Sequence, residues 1–198
     1  MAATFDIDGL LELMPPHEGA GEAGDWAVVE QAWGFRFPRD YIEFITRYGQ
    51  GGIEDCISVL APDELVPPDA PQPGMRGMTE EARWLFEEDG EPIDEVRSAE
   101  QIVAWGGSCT ADTLGWLTTG DDPDAWPVLV LGRNGGAPRV YDMGMVEFLR
   151  AMLRAEIDPC PVGITDAWGC ASPRFVHWRL ERQRRRDRLD PLTGAPRN

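Results

Sequence analysis

The fold of this chain is decided by residues 33–52, which read WGFRFPRDYIEFITRYGQGG. Four apolar side chains recur there at the i, i+3, i+4 and i+7 spacing of one helix face: Tyr41, Phe44, Ile45 and Tyr48. Pro38 suits the first turn of a helix, because its missing N–H would have no intrahelical partner there. The glycines that follow, Gly49, Gly51 and Gly52, can adopt the left-handed conformation that ends a helix. The segment therefore predicts a helix over residues 38–48 with a buried aromatic face.

A shorter helix and a strand are predicted on either side of this segment. Asp25 can cap a helix upstream that carries Trp26, Val29 and Trp33. Downstream of the glycines, residues 57–60 read Ile-Ser-Val-Leu, which is typical of a strand.

A further helix is predicted over residues 79–88, with Thr79 as its N-cap and with Trp84 and Leu85 directed inward. This helix would carry an acidic face made of Glu80, Glu81, Glu87, Glu88 and Asp89. Acids near its first turn are favourable, because the N-terminus of a helix carries partial positive charge.

From residue 101 the sequence changes to short β-rich runs separated by turn residues. Strands are predicted over residues 102–105, 113–118, 126–131 and 138–141. The Asn134-Gly135 pair between the last two favours a hairpin, since both residues tolerate positive φ. An apolar stripe then predicts a closing helix over residues 144–156. Helix, meander and helix in this order indicate an α+β fold, an antiparallel sheet with flanking helices, which the strand at 57–60 joins at one side.

Charge divides the chain into two regions, an acidic body at 1–157 and an Arg-rich C-terminal extension at 158–198. Residues 1–157 hold 10 Arg against 30 Asp or Glu, whereas residues 158–198 hold 8 Arg against 5 acids. In the last region Ser172 and Pro173 predict the start of a helix that runs to about Leu189. We expect this cationic helix to lie on the acidic body of the same chain.

The charge balance excludes several classes of function. The formal net charge is −17, and all 18 basic residues are Arg. Chemistry that requires a lysine, such as Schiff-base formation, is therefore excluded. The acidic surplus also disfavours nucleic acid and anionic membranes as partners, since both require a cationic surface. A basic protein partner, or solubility alone, remains as the reason for the charge.

Cysteine usage predicts a cytoplasmic protein, and the sequence predicts neither a metal site nor a cofactor. The four cysteines are widely spaced and form no CxxC pair: Cys56, Cys109, Cys160 and Cys170. In a chain with a large core they are expected to be reduced, with a Cys160–Cys170 bridge as the alternative. The two histidines, His17 and His177, lack zinc-ligand spacing with any cysteine.

No apolar run is long enough to span a membrane, and the first residues do not show the order of a secretory signal, a basic segment followed by an apolar one.

The sequence contains few of the residue patterns that are typical of known catalytic sites. The P-loop, the dinucleotide-binding glycine motif and HExxH are absent from the sequence, and neither histidine lies beside a strand-end nucleophile. The best enzymatic candidate is the turn at residues 121–124, where Asp121, Asp122 and Asp124 could hold Mg²⁺ or Ca²⁺ or transfer protons. A purely local role is sufficient to explain these residues and is favoured over catalysis, because Asp bonds its own backbone in turns and Pro presets φ.

Residues 33–44 and 48–52 resemble the N-terminal signature of the SUKH superfamily of Smi/Knr-type proteins: a short apolar segment, a Pro-x-Asp-Tyr helix start and a terminal glycine turn. Leu114-Gly115-Trp116 and Asp124-Ala125-Trp126-Pro127-Val128 are similar to the central strands of that family. The helix near residues 145–153 resembles its closing helix. The resemblance covers residues 23–157 and does not extend to the Arg-rich region. It implies one domain at 23–157, preceded by an N-terminal extension at 1–22 and followed by the C-terminal extension at 158–198.

This resemblance implies a single SUKH-like domain that binds proteins and has no catalytic machinery. Members are chiefly known as immunity proteins against bacterial polymorphic toxins, and in fungi as regulators of cell-wall synthesis. The resemblance thus implies an immunity protein that neutralises a toxin, and the acidic charge of the chain favours a basic toxin domain as the partner. The alternatives are a regulatory or scaffold protein without a cognate toxin and, more remotely, a metal-dependent hydrolase.

The predicted contact with the partner is the turn Asp121, Asp122 and Asp124 beside Trp116 and Trp126. The acidic face of the 79–88 helix ranks second, because the turn combines acids with tryptophans whereas Trp84 is expected to face inward. Trp116 and Trp126 have a second interpretation, as core residues of the sheet.

Overall fold

The computed structural model describes residues 7–70, 74–89, 93–133, 138–163 and 166–197. The described residues form six α-helices: α1 (Ile7–Leu13), α2 (Trp26–Trp33), α3 (Arg39–Arg47), α4 (Met75–Asp89), α5 (Met145–Leu153) and α6 (Trp178–Arg186). They also form seven β-strands: β1 (Gly51–Ile53), β2 (Ile57–Val59), β3 (Ile102–Ser108), β4 (Thr113–Leu117), β5 (Val128–Leu131), β6 (Arg139–Tyr141) and β7 (Phe175–His177). The Asn134-Gly135 hairpin pair lies outside the described residues.

The strands form an antiparallel sheet in the order β6-β5-β4-β3-β2-β1-β7. The predicted α+β class and the meander of β3 to β6 are confirmed. Strand β2 joins the sheet beside β3, as expected, but two further strands lie beyond it. Side chains alternate between the two faces of a sheet. Val103 and Trp105 face the core formed with α1, α3 and α5, whereas Ile102 and Ala104 face α4.

The stripe on α3 is confirmed, since all four of its apolar side chains are fully buried. Asp25 caps α2 as predicted, and its side chain accepts a hydrogen bond from the backbone N–H of Ala27 (3.0 Å). In both cases the sequence signal is local: a helical period in one segment and a capping side chain next to the helix that it caps.

The interpretation of Gly51 and Gly52 as helix punctuation is wrong. Gly49, with φ of +73°, takes the left-handed conformation after α3, and Gly51 and Gly52 already belong to β1. A Cβ atom on Gly51 would lie 2.4 Å from the carbonyl oxygen of Val176 in β7. Glycine is therefore needed at this position because two strands approach each other closely there.

The C-terminal residues are part of the sheet. Phe175 and Val176 were expected in a helix starting near Ser172, but they form β7, which pairs with β1. Helix α6 begins after His177, whose ring nitrogen accepts from the backbone N–H of Arg179 and caps the helix. Residues 158–198 thus contribute a strand to the domain proposed for 23–157. At the other end, α1 from the 1–22 region packs against α5.

As the charge balance predicts, ion pairs hold the Arg-rich segment to acids elsewhere in the chain. They are Arg174–Glu54 (3.0 Å), Arg179–Glu22 (2.5 Å) and Arg182–Asp69 (2.5 Å). The first ties the start of β7 to the hairpin between β1 and β2, and the other two hold α6.

Asp40, at the start of α3, caps a different helix. It is buried, and its Oδ2 accepts a hydrogen bond from the backbone N–H of Val146 (3.0 Å) in the first turn of α5. Its Oδ1 accepts from the backbone N–H of Tyr41 (2.7 Å). Burial raises the pKa of Asp40, and these backbone donors partly offset that effect. One carboxylate therefore fixes the relative position of two core helices.

We expect Asp40→Ala to lower the free energy of unfolding by about 1–3 kcal/mol, the usual loss when a helix cap is removed and a buried N–H is left unpaired. Asp40→Asn should lose less, because it keeps one oxygen that can accept from Val146. Urea denaturation of both variants measures the difference. An Asp40→Ala protein as stable as the wild type would show that α5 needs no cap from α3.

Candidate functional site

The turn predicted as the partner contact is tied into the body of the protein. Asp122 accepts a hydrogen bond from the backbone N–H of Asp124 (3.3 Å) and caps a single 3₁₀ turn at Pro123–Ala125. Asp124 accepts from the backbone N–H (2.8 Å) and the Nε–H (2.5 Å) of Arg39. Asp122 thus caps its own turn and Asp124 is paired with Arg39 of α3, which leaves the exposed Asp121 as the free acid of the turn among the described residues.

The two tryptophans beside this turn are core residues, and the expectation that they anchor a partner is wrong. Trp116 is fully buried, with its ring centroid 4.9 Å from that of Tyr41. Trp126 is 5% exposed, and its indole N–H donates to the carbonyl of Gly120 (3.3 Å). Trp116 lies on the sheet face that packs against the main helical layer, and Trp126 belongs to the same core cluster.

The exposed tryptophan lies on α4 instead. This helix begins at Met75, four residues before the predicted N-cap Thr79. Met75, Thr79 and Ala82 form its buried side, and the Thr79 hydroxyl accepts from the backbone N–H of Ala104 in β3 (3.1 Å). Trp84 lies two residues beyond Ala82, about 200° further around the helix. Its side of α4 therefore faces solvent, and Trp84 is 58% exposed, so the expected inward orientation is wrong.

Four glutamates surround Trp84 on the helix surface. They occupy the i−4, i−3, i+3 and i+4 positions, which are its nearest neighbours on a helix, and all are exposed: Glu80, Glu81, Glu87 and Glu88. With Trp84 they form what we call the α4 acidic face. The side chain of Asp89, the fifth acid predicted for this face, lies outside the described part of the structure. The described residues offer none of these glutamates an ion pair.

The neighbouring cation, Arg83, does not neutralise this face. Its Nε–H donates to the carbonyl of Ile102 (2.9 Å), and its other nitrogens bond the side chain and carbonyl of Glu100 (both 3.0 Å). Arg83 is therefore held against the start of β3. The α4 acidic face presents a large apolar ring at the centre of four negative charges.

A cleft of about 300 Å³ lies between α4 and α6. Gly52 and Ser58, from β1 and β2, lie on its floor, on the sheet face opposite Ile57 and Val59. Met78 of α4 and Trp178 of α6 form its walls. Its charged lining consists, within the described residues, of two acids, Asp55 and Glu181.

A buried polar cluster joins the N-terminal loop to β7 and α6. Because the backbone N–H of Arg179 donates to Nδ1 of His177 (3.1 Å), the ring proton lies on Nε2, which donates to Glu22 (3.0 Å). Glu22 also accepts from the indole N–H of Trp178 (2.9 Å) and from Arg179 (2.5 Å). Burial alone would raise the pKa of Glu22, but these donors and the Arg179 charge lower it below its usual 4.5.

This cluster has a structural role, because His177 is fully buried and cannot reach a substrate as a base. Sequence reasoning missed it. Glu22 and His177 are 155 residues apart, and nothing in either local sequence signals the pairing.

Cys56 and Cys109 form a disulfide, so the expectation of four reduced cysteines is wrong for this pair. The two residues adjoin the register pair Ile57 and Ser108 on neighbouring strands, which brings their Cα atoms to 4.6 Å. Cys160 and Cys170 are free, and the alternative bridge between them is absent. The cytoplasmic assignment, which used reduced thiols as its argument, loses that support.

Within the described ranges no group of three or more His, Cys, Asp or Glu side chains is placed to hold a metal ion. The helices described there are all too short or too polar to cross a membrane.

Comparison of the chain with protein-family models, with curated proteins and with solved structures finds no match. The resemblance to the SUKH superfamily therefore stays a prediction made from the sequence.

Proposed function

We propose that this chain is a non-enzymatic, SUKH-like protein-binding domain that acts as an immunity protein, neutralising a bacterial polymorphic toxin by binding a basic surface of the toxin. The observation that carries the proposal is the position of Trp84, exposed at the centre of four unpaired glutamates on α4. The turn at Asp121 offers acids without an exposed aromatic ring. The α4 acidic face therefore replaces it as the proposed contact.

The composition of this face matches what a tight protein interface requires. Binding energy concentrates in a few buried anchors, among which tryptophan is enriched, and surrounding polar residues exclude water from them. Trp84 would bury its exposed indole against the partner. Around it, the glutamates would remain at the rim, where charges chiefly set the association rate and the choice of partner.

The proposed mechanism depends on the attraction between the acidic face and a cationic surface of the toxin. Toxins that cleave nucleic acid bear a cationic surface that binds phosphate. A helix presenting four carboxylates can occupy such a surface in place of the phosphates, and the net charge of −17 favours the encounter at long range. Neutralisation would then follow from blocking access of the substrate, with no reaction at the toxin. A regulatory protein without a toxin would use the same face, so the identity of the partner separates the two functions.

The test begins with the reading frame adjacent to the gene of this chain: a toxin-like domain encoded there is coexpressed with the chain in a bacterial host and purified for binding, whereas the absence of such a domain would count against the immunity role. We expect the wild-type chain to restore growth and Trp84→Ala to lose this protection. The dissociation constant of Trp84→Ala should be at least about 30-fold higher, since loss of such an anchor costs about 2 kcal/mol or more. Its stability should stay near wild type, because the side chain is mostly exposed.

Two variants serve as matched controls. Trp168 is the other tryptophan that is exposed among the described residues, and Trp168→Ala should bind normally. Asp121→Asn should also bind normally if the turn is not the contact. The fourfold variant Glu80→Gln, Glu81→Gln, Glu87→Gln, Glu88→Gln should associate more slowly and with a weaker dependence on salt. Wild-type binding by Trp84→Ala, or a defect in Asp121→Asn of the same size, would remove α4 as the interface.

A further inference from the structure

We infer that the cleft between α4 and α6 receives the long cationic side chain of an arginine or lysine on the partner protein. The inference rests on the proposed function for the source of that side chain. The chemistry of the cleft, by contrast, is argued from its own residues and is tested without the partner.

The size of the cleft selects a single side chain. At about 300 Å³ it lies at the lower limit of ligand pockets, a size that suits one long side chain better than a large cofactor. The absence of a side chain on Gly52 keeps its floor open: an added Cβ would find its nearest neighbour, the carbonyl oxygen of Ile57, at 3.8 Å. Met78 and Trp178 offer apolar walls. Such walls suit the methylene stem of arginine or lysine, which packs along apolar surface while its charge stays at the mouth.

The hairpin between β1 and β2 supplies the carboxylate that would meet this charge. This carboxylate is Asp55. The preceding residue, Glu54, accepts hydrogen bonds from Arg174: one from its backbone N–H (2.7 Å) and two from its guanidinium N–H groups (3.1 and 3.0 Å). On the other side, Cys56 is bonded to Cys109. The backbone of Asp55 is thus held between two anchored residues; its side chain is exposed and has no ion pair within the described chain.

The second acid, Glu181, is shared with Arg185, whose Nη2 lies 2.6 Å from Oε1. An exposed i, i+4 pair of this kind contributes little and can rearrange. Asp55 is therefore the main determinant of charge. An anionic ligand would face two carboxylates, and a neutral one would leave Asp55 without the charge-assisted hydrogen bond that a guanidinium or ammonium group provides.

The test is an NMR titration in which the backbone amide resonances of the full chain are followed as three small probes are added. The probes are the N-acetyl N-methylamides of arginine, lysine and citrulline. Citrulline matches arginine in shape but carries no charge. We expect the arginine and lysine probes to shift the resonances of Gly51, Gly52, Ser58 and the Trp178 indole, and citrulline to leave them unchanged. The lower dissociation constant, fitted to the concentration dependence of the shifts, identifies the preferred side chain.

Two variants locate the site. Asp55→Asn should weaken binding of the arginine probe about tenfold, the loss expected for one charge-assisted hydrogen bond, and asparagine tolerates the positive φ at this position. Gly52→Val should fill the floor and abolish binding, while Asp121→Asn should have no effect. If Gly52→Val fails to fold, Asp55→Asn still decides the question.

Equal shifts with citrulline, no shift in the cleft with any probe, or unchanged affinity in Asp55→Asn would each overturn the inference. Trp84→Ala separates this result from the proposed function. That variant should no longer bind the toxin but should still bind the arginine probe. The experiments can therefore reject the cleft as a binding site while they support the α4 acidic face as the interface, or the reverse.

Discussion

Replacing Phe44 by alanine should lower the free energy of unfolding by about 3–5 kcal/mol, the range observed for truncation of a buried aromatic side chain. Phe44 is fully buried and stacks on Tyr48, with centroids 4.6 Å apart. Its ring also meets Phe175 edge to face, with centroids 5.9 Å apart. The side chain thus joins α3 to β7, so its loss should weaken both the helical layer and the attachment of the C-terminal strand.

Guanidinium denaturation measures this loss, and Thr46→Ala on the same helix provides the control. Thr46 is exposed, and its hydroxyl bonds the carbonyl of Ile42 within the helix, so its replacement should change stability by less than about 0.5 kcal/mol. Domains of this kind have a total stability of about 5–15 kcal/mol, which leaves Phe44→Ala marginally folded. Equal midpoints for the two variants would contradict the packing described for α3.

Removal of the Glu22 side chain should have an effect of similar size. In Glu22→Ala the buried N–H donors of His177 and Trp178 lose their acceptor, at about 1–3 kcal/mol each, for a total of about 2–6 kcal/mol. Arg179 is half exposed and can turn to water, so its charge adds little to the loss.

The same carboxylate should make stability depend on pH. Its pKa is lower in the folded than in the unfolded chain, so its contribution is present above about pH 4.5 and is lost as the pH falls through the folded-state value. Glu22→Gln lacks this titration. The stability difference between wild type and Glu22→Gln should therefore be largest near pH 7 and shrink toward pH 3. A difference that stays constant over this range would show that Glu22 titrates normally.

Elements with a local signal were predictable from the sequence. Helix α3 follows from a period contained in eleven residues, and the cap of α2 from one aspartate beside it. The strands of the meander follow from β-rich runs with turn residues between them. In each case the interactions that define the element lie within a few residues of one another.

Strands β1 and β7 lack such a signal. Each is three residues long, two of the three in β1 are glycines with low strand propensity, and Phe175 and Val176 fit a helical pattern as well as a strand. Strand β1 pairs with the nearby β2 on one side and with β7 on the other, and the second pairing spans roughly 120 residues of chain. Pairing at that distance cannot be deduced from propensity.

Only part of the candidate site on α4 could be predicted from the sequence. The glutamates of α4 follow from the sequence, but the direction of Trp84 does not, because Thr79 and Ala82 on the buried side of the helix contribute little hydrophobic signal. The orientation is set by Met75 and by the hydrogen bond between Thr79 and Ala104, which no local pattern reveals.

The pairing of β7 with β1 also imposes an order on biosynthesis. At about 5–20 residues per second, the ribosome needs about 6–25 s to produce the chain between these strands. Throughout this interval β1 can pair with β2, but the edge of β1 that β7 later occupies has no partner strand. An open edge invites pairing with other nascent chains. The three-residue length of β1 and its two glycines offer such chains little to bind until His177 and the residues around it emerge and close the sheet.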